Sequence, residues 1–183
     1  MPTLQTCGTV AAVCCNPQPG LPKPVVEAVH LIEDWGVEGD YHAGSSVRHR
    51  YLARKDPTRP NRRQVLLLDT SIYADMARQG ISIGPGMMGE NITVDQIAVM
   101  ELVVGTRLRI GQALIEVTEI RNPCYQLNGI DPRLLKAAVT KEQGRVRFKA
   151  GVMACILEGG WVHPGDSVRV LPADDSPETN DSM

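Results

Sequence analysis

The sequence predicts a mainly β fold with peripheral helices (α+β), a mixed β-barrel that is closed or nearly closed. Three observations carry this expectation. The apolar residues fall mostly in short runs of Val, Ile and Leu, at strand length rather than helix length. Glycines stand at the corners between those runs. Only two segments carry helix signals, so strands and helices do not alternate as a doubly wound sheet requires. Many short strands with few covering helices leave exposed edges, and closing the sheet removes them.

In chain order, residues 4–15 read as a strand and 16–22, with three prolines, as an extended turn. Residues 25–32 resume as a strand. The stretch 35–44 is Gly-rich backbone that turns tightly, and the basic segment 48–63, with Pro57 and Pro60, reads as a loop. Gln64 to Leu68 is a buried strand. Asp69 caps a helix over 70–79 that Gly80 ends. A second Gly-rich loop, 84–89, leads into 90–94. Strands follow at about 99–103, 106–110 and 113–120. Asp131-Pro132 starts a helix to about 139. Strands at 151–157 and 167–171 flank a turn through 158–166. One domain spans 1–171, and the acidic tail 172–183 is expected to be disordered.

The 183 residues suffice for one full core and are short for two. Between 48 and 63 seven Lys and Arg stand against Asp56, a local charge of +6, whereas the tail carries −4. The basic segment would draw an anionic ligand, or it is a solvated loop. Aromatic residues at 4% leave few stacking platforms for single-stranded nucleic acid. The five cysteines, at 7, 14, 15, 124 and 155, form no Cys-x-x-Cys pair, which excludes a zinc ribbon or iron–sulfur ligand set. No run approaches the roughly 20 apolar residues of a membrane helix, and a reducing cytoplasm suits this cysteine usage.

Cys124 is the most informative residue. It follows the strand 113–120 and the stiff step Asn122-Pro123, where a thiol could face a pocket. Arg121 supplies a positive charge that favours thiolate, the form that attacks electrophiles or binds soft metals. The competing reading is a buried small hydrophobe.

Six pieces in order resemble the MOSC domain, the family named after the C-terminal part of molybdenum cofactor sulfurase. They are Gly36-Val37-Glu38-Gly39-Asp40-Tyr41-His42, Gln64-Val65-Leu66-Leu67-Leu68-Asp69, Gly89-Glu90-Asn91-Ile92-Thr93, Gly105 to Gly111, Asn122-Pro123-Cys124, and the closing Gly159-Gly160 to Val168. The resemblance covers about residues 36–171. It implies a single MOSC β-barrel domain that binds the molybdenum cofactor, with Cys124 as molybdenum ligand or sulfur-carrying thiol and Asn91 as a cofactor contact. Standalone bacterial relatives often carry His-Gly-Gly where this chain has His42-Ala43-Gly44. Relatives that reduce N-hydroxylated compounds often have an Arg where Gly89 and Glu90 stand here.

The chemistry of the residues agrees. A thiolate suits molybdenum held by a pterin dithiolene. Arg48, Arg62 and Arg63 are candidate phosphate partners, Arg121 a further cofactor contact, and the loops 39–44 and 84–89 candidate N–H donors. Asn91 can donate to and accept from a pterin edge. The expected activity is two-electron reduction of an N-hydroxylated small molecule, with oxygen leaving as water and His42 or Glu90 delivering protons. His42 could instead only tie its loop. His30, His49 and His163 are scattered in sequence and suggest no metal site. Electrons are expected from a separate reductase. Two alternatives remain: a persulfide carrier or cofactor-delivery protein using Cys124, and a binding module that presents the 48–63 loop to RNA or an acidic partner.

Overall fold

The computed structural model describes residues 5–172, and the expected acidic tail lies outside them apart from its first residue. Its strands in chain order are β1 (Cys7–Cys14), β2 (Val25–Val26), β3 (Val29–Ile32), β4 (Gly36–Val37), β5 (Val65–Asp69), β6 (Ile92–Asp95), β7 (Arg107–Ile110), β8 (Ala113–Ile120), β9 (Val139–Glu142), β10 (Arg145–Phe148), β11 (Val152–Glu158), β12 (Gly160–Val162) and β13 (Ser167–Val170). The α-helices are α1 (Arg50–Lys55), α2 (Thr70–Arg78) and α3 (Leu134–Ala137).

The barrel is closed and mixed. Going round it, β1 is followed by β13, β7, β8, β11, β5 and β6, which returns to β1. β5 and β6 pair in parallel across the α2 crossover, and the other neighbours are antiparallel. β2 adds to one end of β1; β12–β3–β4 and the β9–β10 hairpin are separate small sheets. None of the helices among the described residues is long and apolar enough to cross a membrane.

Two cores result. Inside the barrel, Val10, Val13, Leu67, Ile92, Leu108, Ile115 and Val168 belong to one apolar cluster. A register shift in β1 between Val10 and Ala12 lets two residues three apart face the same side, which regular alternation forbids. The second core lies outside the barrel wall, where Leu68, Ile72, Met76, Leu127 and Leu134 pack together. β5 therefore sends Leu67 into one core and Leu68 into the other, which is why its sequence is a continuous apolar run. Each such fully buried side chain contributes about 1.5–3 kcal/mol.

The strands over 113–120, 106–110, 151–157 and 167–171 form within a residue or two of the expected bounds. Five readings are corrected. Residues 160–162, inside the expected turn, form β12, paired with β3. The basic segment is not all loop: α1 forms at 50–55, ahead of the prolines. Residues 99–103 make a 3-10 turn at Val99–Glu101, because the Asp69 carboxylate takes the Val99 N–H at 2.9 Å and removes it from any ladder. The helix expected from Asp131 is only Leu134–Ala137, and the chain then enters the β9–β10 hairpin. Residues 25–32 divide into β2, paired with β1, and β3, paired with β4 and β12. Asp69 caps α2 as expected, accepting the Ser71 N–H at 3.0 Å.

Candidate functional site

A cavity of about 390 Å3 opens at the barrel rim. Its walls come from the turn before β2, the 41–63 excursion, the start of β6, and the 121–126 segment. Arg48, Arg50, Arg54, Arg63 and Arg121 line it together with Lys23, and no carboxylate among the described residues does.

Cys124 is half-buried in this cavity. It is set by what flanks it: β8 ends at Ile120, Pro123 is buried, and the 3-10 turn Tyr125–Gly129 drives Leu127 into the outer core. Arg121 lies on the same wall, 8% exposed, its Nη1 donating to the carbonyls of Met88 (2.7 Å) and Ala150 (3.4 Å). Burial pulls this guanidinium below its ordinary value; Cys124 and Glu90 oppose that and Arg63 adds to it. Arg63 donates to Glu119 and is mostly covered.

His42 also lines the cavity, held by Asp40. The Asp40 carboxylate accepts the His42 backbone N–H at 3.0 Å and lies 3.4 Å from the ring Nδ1. It also accepts both bonds from the buried Lys23 ammonium, at 2.9 and 2.8 Å, and one from Asn91 Nδ2 at 3.0 Å. Burial would raise the Asp40 pKa. The His42 and Lys23 bonds outweigh it and hold the carboxyl well below the usual carboxylate range.

His49, set aside as scattered in the sequence, folds onto the same cavity. Burial first, then the charges of Arg63, His42 and Arg121, lower its pKa, which places those groups around it. Its Nδ1 is a buried side-chain atom with no hydrogen-bond partner, alone in this among the described residues. Such an atom costs free energy unless a ligand or an ordered water satisfies it.

The structure does not bring every candidate together. Arg48 lines the cavity, its Nη1 reaching the Tyr41 carbonyl at 3.4 Å. Arg62 does not; its side chain is exposed elsewhere. Glu90 is 0% exposed and outside the lining, its carboxylate accepting from Gly86 N (2.8 Å), Met88 N (3.1 Å) and the Tyr73 hydroxyl. It braces the loop rather than facing the cavity. Asn91 reaches the cavity wall, yet both its donors are spent, on Cys14 O and Asp40, while its oxygen accepts from Leu66 N. The Gly-rich loops offer no free donors over 40–44 and 86–89, because each of those amides is bonded within the protein. Lys23 is a site residue the sequence reading missed; its signal was a lysine between two prolines in an apolar stretch.

A family model described as MOSC domain matches residues 39–169. Solved structures share the fold. The YuaD protein of Bacillus subtilis aligns with a TM-score of 0.73 at 18% identity, covering 90% of this chain and 95% of that one. YiiM of Escherichia coli gives 0.60 at 21%, covering 90% and 70%. YiiM of Geobacillus stearothermophilus gives 0.58 at 18%, covering 93% and 75%. No curated protein matches.

Proposed function

This chain belongs to the MOSC domain family, whose members in general bind the molybdenum cofactor, and from that premise we propose that it is a molybdenum-dependent reductase of N-hydroxylated or other N-oxygenated small molecules. One observation carries the reading: a half-buried thiol, Cys124, faces a cavity lined by five arginines and, among the described residues, by no carboxylate. The residues fit the cofactor chemically. A thiolate is a soft ligand, the guanidiniums match a phosphate, and the orphaned His49 Nδ1 awaits a polar partner.

When bound, the cofactor supplies a metal that exchanges two electrons and accepts oxygen. Cys124 would hold it, with Arg63, Arg121 and Arg48 meeting its phosphate and pterin. Asp40 orients His42 so that Nδ1 is engaged and Nε2 is left to carry a proton. In balance, the substrate N–O bond breaks, two electrons and two protons are taken up, and the oxygen leaves as water. A separate reductase supplies the electrons. The basic segment contributes Arg48, Arg50 and Arg54 to the lining of this concave site, which favours a small anionic ligand over a nucleic-acid surface.

The test is molybdenum and pterin content of the wild type and Cys124→Ala, purified from a host that makes the cofactor. Stoichiometric metal in the wild type and its loss in the variant is the expected result. No metal in either, from a host that loads a control enzyme, overturns the reading; cyanolysable sulfur on Cys124 would then assign the thiol to sulfur transfer.

A further inference from the structure

We propose that α1 carries a second anion site, formed by Arg50 and Arg54, that receives a phosphate or carboxylate on the substrate; this rests on the reductase reading for what the substrate undergoes, and not for the binding itself. Four of the five lining arginines divide into two kinds, Arg48 standing apart with one bond to the Tyr41 carbonyl. Arg63 and Arg121 are largely covered and held by Glu119 and by backbone carbonyls. Arg50 and Arg54 are exposed at the mouth, and among the described residues their guanidiniums have no hydrogen bond or ion pair.

The charges leave two guanidiniums over for a second anion. One phosphate monoester carries about −1.5 to −2 charges, which the inner arginines and Arg48 already match. Two further guanidiniums on the same cavity raise its positive potential, and no carboxylate among the described residues lines the cavity to offset it. The single acid of the segment, Asp56, is turned to its own loop, accepting from Thr58 N at 2.9 Å and Thr58 Oγ1 at 2.7 Å. Tyr51 and Tyr125 also line the mouth, 60% and 74% exposed, and offer ring faces to a flat molecule, one face of Tyr51 being covered by the Lys55 ammonium.

α1 stands clear of both cores. None of its residues is buried. It is tied at its neck by the Ser46–Pro60 bridge, the Val47 N–H to Arg59 O at 2.9 Å and the Asn61 N–H to Ser45 O at 3.0 Å. Substitutions on it therefore leave both cores untouched.

Adenosine 5′-monophosphate and adenosine serve as probes that differ by one anionic group, titrated calorimetrically into the wild type, Arg54→Gln and Arg50→Gln/Arg54→Gln at low salt, with molybdenum and pterin content measured on the same preparations. The wild type is expected to bind the monophosphate about tenfold more tightly than the nucleoside. Arg54→Gln should reduce that preference, the double substitution should bring it below about threefold, and higher salt should weaken it in the wild type. Pterin content should be the same in all three proteins. Equal binding of the two probes by the wild type overturns the proposal, as does a preference that survives the double substitution. A fall in pterin content on the double substitution also overturns it, assigning these arginines to the cofactor. Absence of molybdenum and pterin from every preparation counts against the reductase reading alone; the inner arginines are then open to the probe's phosphate, and the second site is read from the fall in preference between the wild type and the double substitution.

Discussion

Asp40 fixes His42 at two points, accepting its backbone N–H at 3.0 Å and standing 3.4 Å from its ring Nδ1, so one carboxylate sets both the chain and the imidazole of the residue two positions on. The same carboxylate neutralises Lys23, which is 4% exposed. A buried pair of this kind is costly to break from one side because the partner charge stays behind.

Asp40→Asn is therefore expected to lower stability by about 3–5 kcal/mol in urea unfolding, and Asp40→Asn with Lys23→Met to recover part of it. The pH dependence follows in sign. The folded carboxyl is held below its ordinary value of 3.8, so its contribution is complete above that value and is lost as pH falls through and below it. Acid unfolding of the wild type should show this loss, and the double variant should not.

His49 provides a spectroscopic check on the cavity. Its folded pKa lies below the ordinary 6.5, so the folded protein takes up this proton less readily than the unfolded chain does. Its contribution to stability rises as pH climbs from the folded value to 6.5 and is flat above that. In Arg63→Gln the His49 ring resonances should titrate at higher pH than in the wild type. No change would mean that Arg63 does not act on the ring.

Gly86 separates backbone demand from composition. Its φ is +80°, and a Cβ there would stand 1.9 Å from the Lys23 carbonyl oxygen, whereas a Cβ at Gly84 meets nothing within 4 Å. Gly86→Ala should cost about 2 kcal/mol or more by thermal or urea unfolding, with Gly84→Ala close to neutral.

The cysteines should differ in reactivity. Burial first, then Glu90, pushes the Cys14 thiol up to about 12, and burial also raises Cys155. Iodoacetamide at mildly alkaline pH should label exposed Cys7 and half-buried Cys124 well before Cys14 and Cys155, as read by peptide mass mapping.

The barrel was legible because its signals are local: the β-branched run of β8 and the Gly corners around β7 need no distant information. Cys124 was legible for the same reason, through Pro123 and the strand before it. The β9–β10 hairpin also had a local signal, Gln143-Gly144, both with positive φ in the turn. That signal is outweighed in the sequence by the Asp131-Pro132 helix start in the residues before it. What sequence could not show is where polar groups spend their bonds. Glu90 and Asn91 carry the residue types of a site, yet their partners come from Tyr73, Cys14 and Asp40, far along the chain. His49 joins the cavity only once the 46–60 excursion closes at its neck.

The barrel is sealed by β13, which lies between β1 and β7. On a ribosome that strand emerges last of all the barrel's staves, so throughout synthesis the early strand near Cys7 and the later one near Arg109 present open ladder groups to the surrounding cell. A chain stalled or clipped just before Ser167 thus carries two adhesive edges at once, which makes the completeness of four residues decide between a closed vessel and an aggregating ribbon.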